Sequence, residues 1–342
     1  QWQHLSLEAQ AGAKRRIVGD ALRRIGGLEV PDPELVPSPR PLAYRTSVTL
    51  TVRRTGGAPV VGFHVATDSE RVFALERCEI AREELNALWR AVAPHRGSLP
   101  PGNDVRLKLR VAPDGGLHLI VNGGVDAWTT PEPMARAAAS AGLTTTVWWQ
   151  PSGGAVRHMA GPDADSGAVA FEQVNAEVAV RLREAVIEAA LSVLPTVGPP
   201  VRLLDLYAGA GDTALPLAGR GCEVVMVEMD RRAVTRAQER AREKGLAVRC
   251  LAARVEDRLA KLLPADVVIV NPPRTGLSEE VAVCLSASPP VRLVYVSCDP
   301  ATLARDLKRL GATRERIASV VAFDMFPQTS HVETLVVLGA PK

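Results

Sequence analysis

"LLDLYAGAGDTALPLA", residues 203–218, decides the fold. An apolar run carrying one acid, Asp205, ends at Gly209 and Gly211, and a helix-forming stretch follows. Missing side chains after a strand let a ligand approach the backbone and the amino end of the next helix. The loop alone leaves two nucleotides open. Gly209, Gly211 and Ala214 fit the dinucleotide fingerprint, with Glu228 at the next strand's tip placed to hold ribose hydroxyls. The same spacing, with Asp205 before the glycines and Glu228 after, suits S-adenosylmethionine.

Outward from this loop, "EVVMVE" (223–228), "ADVVIVN" (265–271) and "VRLVYVSC" (291–298) alternate with helical stretches such as "RRAVTRAQERAREKG" (231–245). Alternating strand and helix predicts an α/β doubly wound sheet over 166–342, with ligands at the carboxyl ends of its strands. Residues 31–165 read differently. Short runs such as "DVRLKLRVAPDGGLHLIV" and "TTTVWWQPSGGAVRHMA" contain hairpin turns, which predicts a smaller antiparallel β-rich domain. Residues 1–30 form an amphipathic helix stopped at Gly26 and Gly27, followed by the proline-rich connector "VPDPELVPSPRP".

The chain has 342 residues, 46% of them hydrophobic, enough for a core in each of two domains. No apolar run approaches the roughly 20 residues of a membrane span, and the polar start lacks a signal peptide's apolar region. A soluble, cytoplasmic, monomeric protein is expected. Five scattered cysteines, without a C-x-x-C pair, suggest neither a disulfide framework nor a zinc site. Net charge +3 is too mild to establish nucleic-acid binding. Arg106, Lys108 and Arg110 alternate along one strand, however, and would share a face that could follow a phosphate backbone or simply be solvated.

"VIVNPPRTG" (268–276) narrows the chemistry. Two prolines cannot continue a strand, so the chain must turn out over the ligand with Asn271 at its tip. A dehydrogenase has no need of this element. Many methyltransferases of planar bases carry it, usually with an aromatic residue next when an amino nitrogen is the target. Here Arg274 follows, so the acceptor needs another means of activation.

"RLVYVSCDPATLARDLKRL" (292–310) supplies one. A pyrimidine C5 is a poor nucleophile; a thiolate added at C6 makes it enolate-like, and a base must later remove the C5 proton. Cys298 lies at a strand's carboxyl end beside a helix amino terminus, a place that favours thiolate. Glu333 opens the final apolar strand and can serve as base, with His331 two residues earlier on the same face.

"DLYAGAGDTALPLA", "NPPRTG", "YVSCDPATLARDL" and "FDMFPQTSHVE", together with "FEQVNAEVA" and the opening "QWQHLSLEAQ", resemble the RNA uracil-5-methyltransferases over essentially the whole chain. The resemblance implies a class I methyltransferase sheet, with Cys298 as nucleophile and Glu333 as proton acceptor. It places Gln173, Tyr207, Asp212, Glu228 and Asn271, beside Gly209 and Gly211, on S-adenosylmethionine. Its implied partner is RNA, with 23S rRNA favoured over tRNA. RNA cytosine-5-methyltransferases carry a cysteine where Arg274 stands, which favours uracil. Many relatives also hold an iron–sulfur cluster; Cys78 resembles one ligand, but its partners are absent, so the chain as given cannot build the cluster. Cys222, Cys250 and Cys284 read as core. Trp148 and Trp149 face opposite ways, one toward the core and one able to stack on a base. Tyr44 and Arg45 are either a turn anchor or an RNA contact. Two other readings stay open: a nicotinamide dehydrogenase on the same glycine loop, and a non-catalytic RNA-binding relative.

Overall fold

Ser6 starts the first helix by accepting a hydrogen bond from the Ala9 amide, satisfying one of the donors a helix start leaves free. Helix α1 (Leu7–Arg24) ends before Gly26 and Gly27, where Gly27 takes φ +68°. The computed structural model describes residues 1–54, 56–65, 68–102, 104–124, 128–163, 173–192 and 200–339; the side chain of residue 69 is outside the description. The proline-rich segment contains a strand, β1 (Glu34–Val36), which the sequence reading missed. Three residues bracketed by Pro33 and Pro37 can form one only at a sheet edge, where a missing N–H does no harm.

The chain divides into Gln1–Pro39 with Glu177–Lys342, and Arg40–Ala176. The expected boundaries were 30 and 165. Helix α1 is no separate element, because Val18 and Leu22 are buried in one cluster with Leu303 and Leu307. Residue 165 itself lies outside the described residues.

The smaller unit is built from β2 (Ser47–Arg53), β3 (Val60–Val65), β4 (Asp68–Ala74), α2 (Glu83–Val92), β5 (Arg106–Val111), β6 (Leu117–Asn122), α3 (Glu132–Ser140), β7 (Thr145–Gln150) and β8 (Arg157–Ala160). Its sheet order is β4-β3-β2-β5-β6-β7-β8. The antiparallel expectation fails at one pair: β6 and β7 are parallel, since α3 carries the chain back before β7 begins. Leu50, Leu107, Leu109, Leu119 and Trp149 pack on one side with Leu85, Leu88 and Met134. On the other side Arg106 is exposed and Lys108 half-buried, but Arg110 is buried. Trp148 does not present a free ring: it is buried, donates Nε1–H to His118 Nδ1 at 3.1 Å, and meets His158 edge-on. Tyr44 is buried, and the Arg45 backbone pairs with Ile80 and Arg82, an anchoring role. Cys78 lies in the core, its backbone bonded to Asn86.

The larger unit continues with α4 (Ala176–Leu191), β9 (Arg202–Leu206), α5 (Ala214–Ala218), β10 (Glu223–Glu228), α6 (Arg231–Glu243), β11 (Val248–Ala252), α7 (Leu259–Leu262), β12 (Val267–Val270), α8 (Glu279–Ala287), β13 (Arg292–Ser297), α9 (Pro300–Arg309), β14 (Ile317–Phe323) and β15 (Glu333–Gly339). Sheet order is β1-β14-β15-β13-β12-β9-β10-β11. The central strands are apolar on both faces along most of their length, so they need cover on both sides, and they have it. Leu204, Leu206, Val268, Val270 and Tyr295 share a core with α1, α8 and α9, while Leu203, Val267, Ile269, Val294 and Val296 share one with α4 and α5. The strands run parallel except β15, antiparallel to both β13 and β14. The connection 324–332 contains no crossover helix, so the chain can only turn back.

Strand order reverses between β9 and β12, which opens a crevice beyond their carboxyl ends. Among the described residues no helix is long and apolar enough to cross a membrane. Because Leu22 is fully buried, Leu22→Ala should cost about 2–5 kcal/mol in the larger unit. Urea denaturation followed by far-ultraviolet circular dichroism measures this; a change near zero would mean that α1 is not part of that core.

Candidate active site

At the carboxyl end of β9 the backbone turns through unusual conformations. Tyr207 takes φ +60°, rare for a bulky residue, and Gly209 and Gly211 take +55° and +76°. Gly211 also leaves no room for a side chain, since a Cβ there would sit 3.3 Å from Ala237 and 3.4 Å from Leu215 and Met226. Glu228 holds the loop from β10: its Oε2 accepts from the Gly209 amide at 2.9 Å and its Oε1 from the Asp230 amide at 2.8 Å. Asp212, expected on the donor, stands next on the loop. It pairs with Arg240 at 2.8 Å, and the same guanidinium nitrogen donates to the Ala210 carbonyl at 2.8 Å, so Asp212 braces the loop.

Asp205 lies beneath the loop. Burial pushes its carboxyl up to about 7, against a hydrogen bond from the Ala214 amide, and its Oδ2 has no partner among the described residues. A buried carboxylate oxygen without a partner, under a glycine turn, fits a ligand that brings a positive charge or a donor.

The Asn271-Pro-Pro-Arg274 turn leaves β12 beside this loop, with the Asn271 amide bonded to the Leu206 carbonyl at 3.3 Å. Its far end is fixed by Asp306, a residue the sequence reading passed over. Asp306 is fully buried; its Oδ2 accepts from Tyr295 Oη at 2.7 Å and from the Leu277 amide at 2.8 Å. One carboxylate thus ties together β13, α9 and the proline turn. Gly276 makes room for it: at φ +77°, an added Cβ would lie 2.2 Å from Asp306 Oδ2. An acid on the apolar face of "ATLARDL" was the available signal.

Cys298 follows β13 directly, and the turn that carries it is braced by Ser297, whose Oγ accepts from the Asp299 amide at 3.2 Å. In the antiparallel ladder Ser297 pairs with Thr334. One step beyond that pair come Cys298 and Glu333, so the register places thiol and carboxyl at neighbouring strand ends. Glu333 is 3% exposed, and burial pushes its carboxyl up to about 7, with Arg274 pulling it down. The Cys298 thiol is not lowered as its position beside a helix start suggested. Burial raises it first, then Glu333; Arg274 opposes them. Burial and Glu333 thus outweigh the helix end, to which Asp299, its cap through a bond from the Thr302 amide at 2.8 Å, adds a smaller negative contribution. Arg274 therefore acts on both groups.

The structure brings Tyr207, Gly209, Gly211, Glu228 and Asn271 to one crevice, with Cys298 just past the carboxyl end of β13 and Glu333 at the start of the antiparallel β15 beside it. Gln173 belongs to the smaller unit. His331 stands edge-on to Phe326 at 5.9 Å between ring centres.

The buried carboxyl makes stability depend on pH. Glu333 holds its proton more tightly folded, at about 7, than at its ordinary 4.5, so ionisation penalises the fold. The penalty is absent below about 4.5, grows between 4.5 and 7, and is complete above about 7. Glu333→Gln removes it and should gain on the wild type across that window, by roughly 2–3 kcal/mol at about pH 8. Urea midpoints at about pH 4 and about pH 8 measure the gain; the same difference at both would contradict it.

Comparison with known proteins agrees with this geometry. The family described as tRNA (uracil-5-)-methyltransferase matches residues 253–340, and a general methyltransferase domain matches 203–282. An uncharacterized RNA methyltransferase of Gloeobacter violaceus is 33% identical, over 99% of this chain and 79% of its own. A 23S rRNA (uracil(1939)-C(5))-methyltransferase RlmD of Azoarcus sp. is 32% identical, over 99% and 82%. The crystal structure of Pyrococcus abyssi tRNA (uracil-54, C5)-methyltransferase in complex with S-adenosyl-L-homocysteine superposes with TM-score 0.73 at 25% identity, over 98% of this chain and 84% of that one. The fold is that of the class I methyltransferases, and the chain belongs to the RNA uracil-5-methyltransferase family.

Proposed function

We propose that this protein methylates C5 of a uridine in RNA from S-adenosylmethionine, through a covalent bond between Cys298 Sγ and uracil C6. The observation that carries the reading is the ladder register, which sets Cys298 across from Glu333 beyond the Ser297–Thr334 pair. The donor site fits. Gly209 and Gly211 leave backbone open, Glu228 keeps lone pairs for ribose hydroxyls, and Asp205 Oδ2 is buried without a partner among the described residues. Bound there, S-adenosylmethionine would supply an electrophilic methyl group. Tyr207 and Asn271 line its crevice, Asp212 steadies the glycine loop, and Gln173 is a donor residue that the family resemblance implies.

The chain's own residues carry the rest. The Cys298 thiol gives up its proton to solvent, and the sulfur adds to C6, which makes C5 electron-rich. After C5 gains its methyl, Glu333 takes the C5 proton; the electron pair re-forms the C5–C6 double bond and expels the sulfur. A carboxyl titrating at about 7 suits a base working near neutrality. The Arg274 cation stabilises the thiolate before attack and the carboxylate before proton removal.

The target uridine must leave its stack to reach a thiol at a strand end. Arg106 and Lys108 on the smaller unit's sheet are placed to meet phosphates; Arg110, buried, is not. Relatives named for 23S rRNA, at 32% identity, support ribosomal RNA over tRNA as substrate.

RNA carrying 5-fluorouridine tests the mechanism, because fluorine cannot leave C5 as a proton. With S-adenosylmethionine present, the protein should form an RNA adduct stable on a denaturing gel, mapped by mass to Cys298. Cys298→Ala should form none, lose turnover, and still bind S-adenosylhomocysteine within about threefold by calorimetry. Turnover in that variant, or an adduct mapped to another residue, would refute the reading. Comparing 23S rRNA and tRNA transcripts as substrates decides between the two RNAs.

A further inference from the structure

Helix α1 makes a costly contact that neither donor binding nor attack by Cys298 requires. Gln10, Lys14, Val18 and Leu22 follow one another at intervals of four, along one stripe of the helix. The last two are apolar core, whereas Gln10 and Lys14 are polar yet equally buried, at 2% and 0% exposure. Removing a lysine from water costs several kcal/mol unless its charge is met, and an apolar residue would fill the space at less cost. What meets it is one loop. Lys14 Nζ pairs with Asp324 and donates to the Phe326 carbonyl at 2.9 Å. Gln10 Nε2 donates to Gln328 Oε1 at 3.0 Å, and Gln10 Oε1 accepts from the Gln328 amide at 3.0 Å. The Trp2 amide donates to the Gln328 carbonyl at 2.9 Å.

These bonds hold a backbone that would not keep its shape unaided. Gln328 takes φ +66°, which a residue with a side chain seldom adopts and which surrounding contacts must impose. Residues 324–332 are the whole connection from β14 to Glu333. Past the clamp, Thr329 Oγ1 bonds the Phe326 carbonyl at 2.7 Å and accepts from the His331 amide at 3.3 Å. The chain therefore reaches Glu333 along a path fixed by α1.

We propose that Lys14 and Gln10 are positioning residues for Glu333, acting through Asp324, Phe326 and Gln328 on the step that removes the C5 proton. The inference rests on the reading of Glu333 as base. Its consequence is selective. Loosening the clamp misplaces the carboxylate relative to C5, while the glycine loop and Cys298, which sit on other strands, keep their geometry.

The test compares Lys14→Met and Gln10→Met with Glu333→Gln and wild type, using an unmodified 23S rRNA transcript and S-adenosylmethionine. Three quantities are read: S-adenosylhomocysteine affinity, formation of the Cys298–RNA adduct, and release of methylated RNA. Either clamp variant should bind and form the adduct within about threefold of wild type but release product about tenfold more slowly, so that adduct accumulates. A merely structural role would depress all three together, and that result would overturn the proposal. If Glu333→Gln accumulates adduct while both clamp variants release at the wild-type rate, the positioning role alone falls. If Glu333→Gln itself releases normally, the base assignment falls and the proposal with it. Should Lys14→Met fail to fold, Gln10→Met carries the same comparison.

Discussion

The pairing of β15 against β13 is the constraint on which the site depends. Ser297 opposite Thr334 is one rung of a hydrogen-bonded ladder, and the next rung brings the thiol after one strand and the carboxyl that opens the other to the same end. A slip of one residue would turn Glu333 to the opposite face of the sheet. The register is held by apolar burial on both faces, since Leu335 and Val337 pack on one side and Val336 and Leu338 on the other. The reversed direction of β15 is thus what lets two residues separated in the sequence, one at a strand's end and one at a strand's start, become neighbours.

The same burial that fixes the register sets the electrostatics. A carboxyl buried to 3% exposure gives up its ordinary pKa and reaches about 7. The neighbouring thiol is raised by burial and by that carboxyl. Arg274, on the proline turn, is the counterweight to both. Its own turn is held by Asp306, whose carboxylate joins Tyr295 of β13 to the Leu277 amide. The pair is therefore framed by two buried charged groups at a distance: Asp306 on the side of the proline turn, and Lys14 on the side of the loop that enters β15.

What was legible in the sequence follows from how locally it is encoded. All-apolar strands, the turn at Gly209 and Gly211, and the breaks at Pro272 and Pro273 declare themselves within a few residues, and each stands where the sequence put it. What was missed needs partners far along the chain. β1 exists because β14 offers it an edge, although prolines flank it on both sides. Lys14 and Asp324 lie 310 residues apart, so a lysine on an apolar stripe gave no hint of what it met. The parallel β6–β7 pair depended on where α3 would carry the chain. One of Trp148 and Trp149 was read as a possible stacking surface, and the cover of Trp148, His118 and His158, comes from two other strands. The thiol's pKa was misjudged because a helix start was counted without the burial and the Glu333 carboxyl that raise it, and Glu333 comes from a strand 35 residues on.

The division of labour between Cys298 and Glu333 is the central claim, and the fate of the C5 hydrogen tests it most directly. In a single turnover on RNA labelled with tritium at uridine C5, the wild type should transfer methyl and release tritium to water together. Glu333→Gln should transfer methyl while tritium stays in RNA bound to Cys298. Tritium release that keeps pace with methyl transfer in that variant would show that another group removes the proton, and would contradict the account.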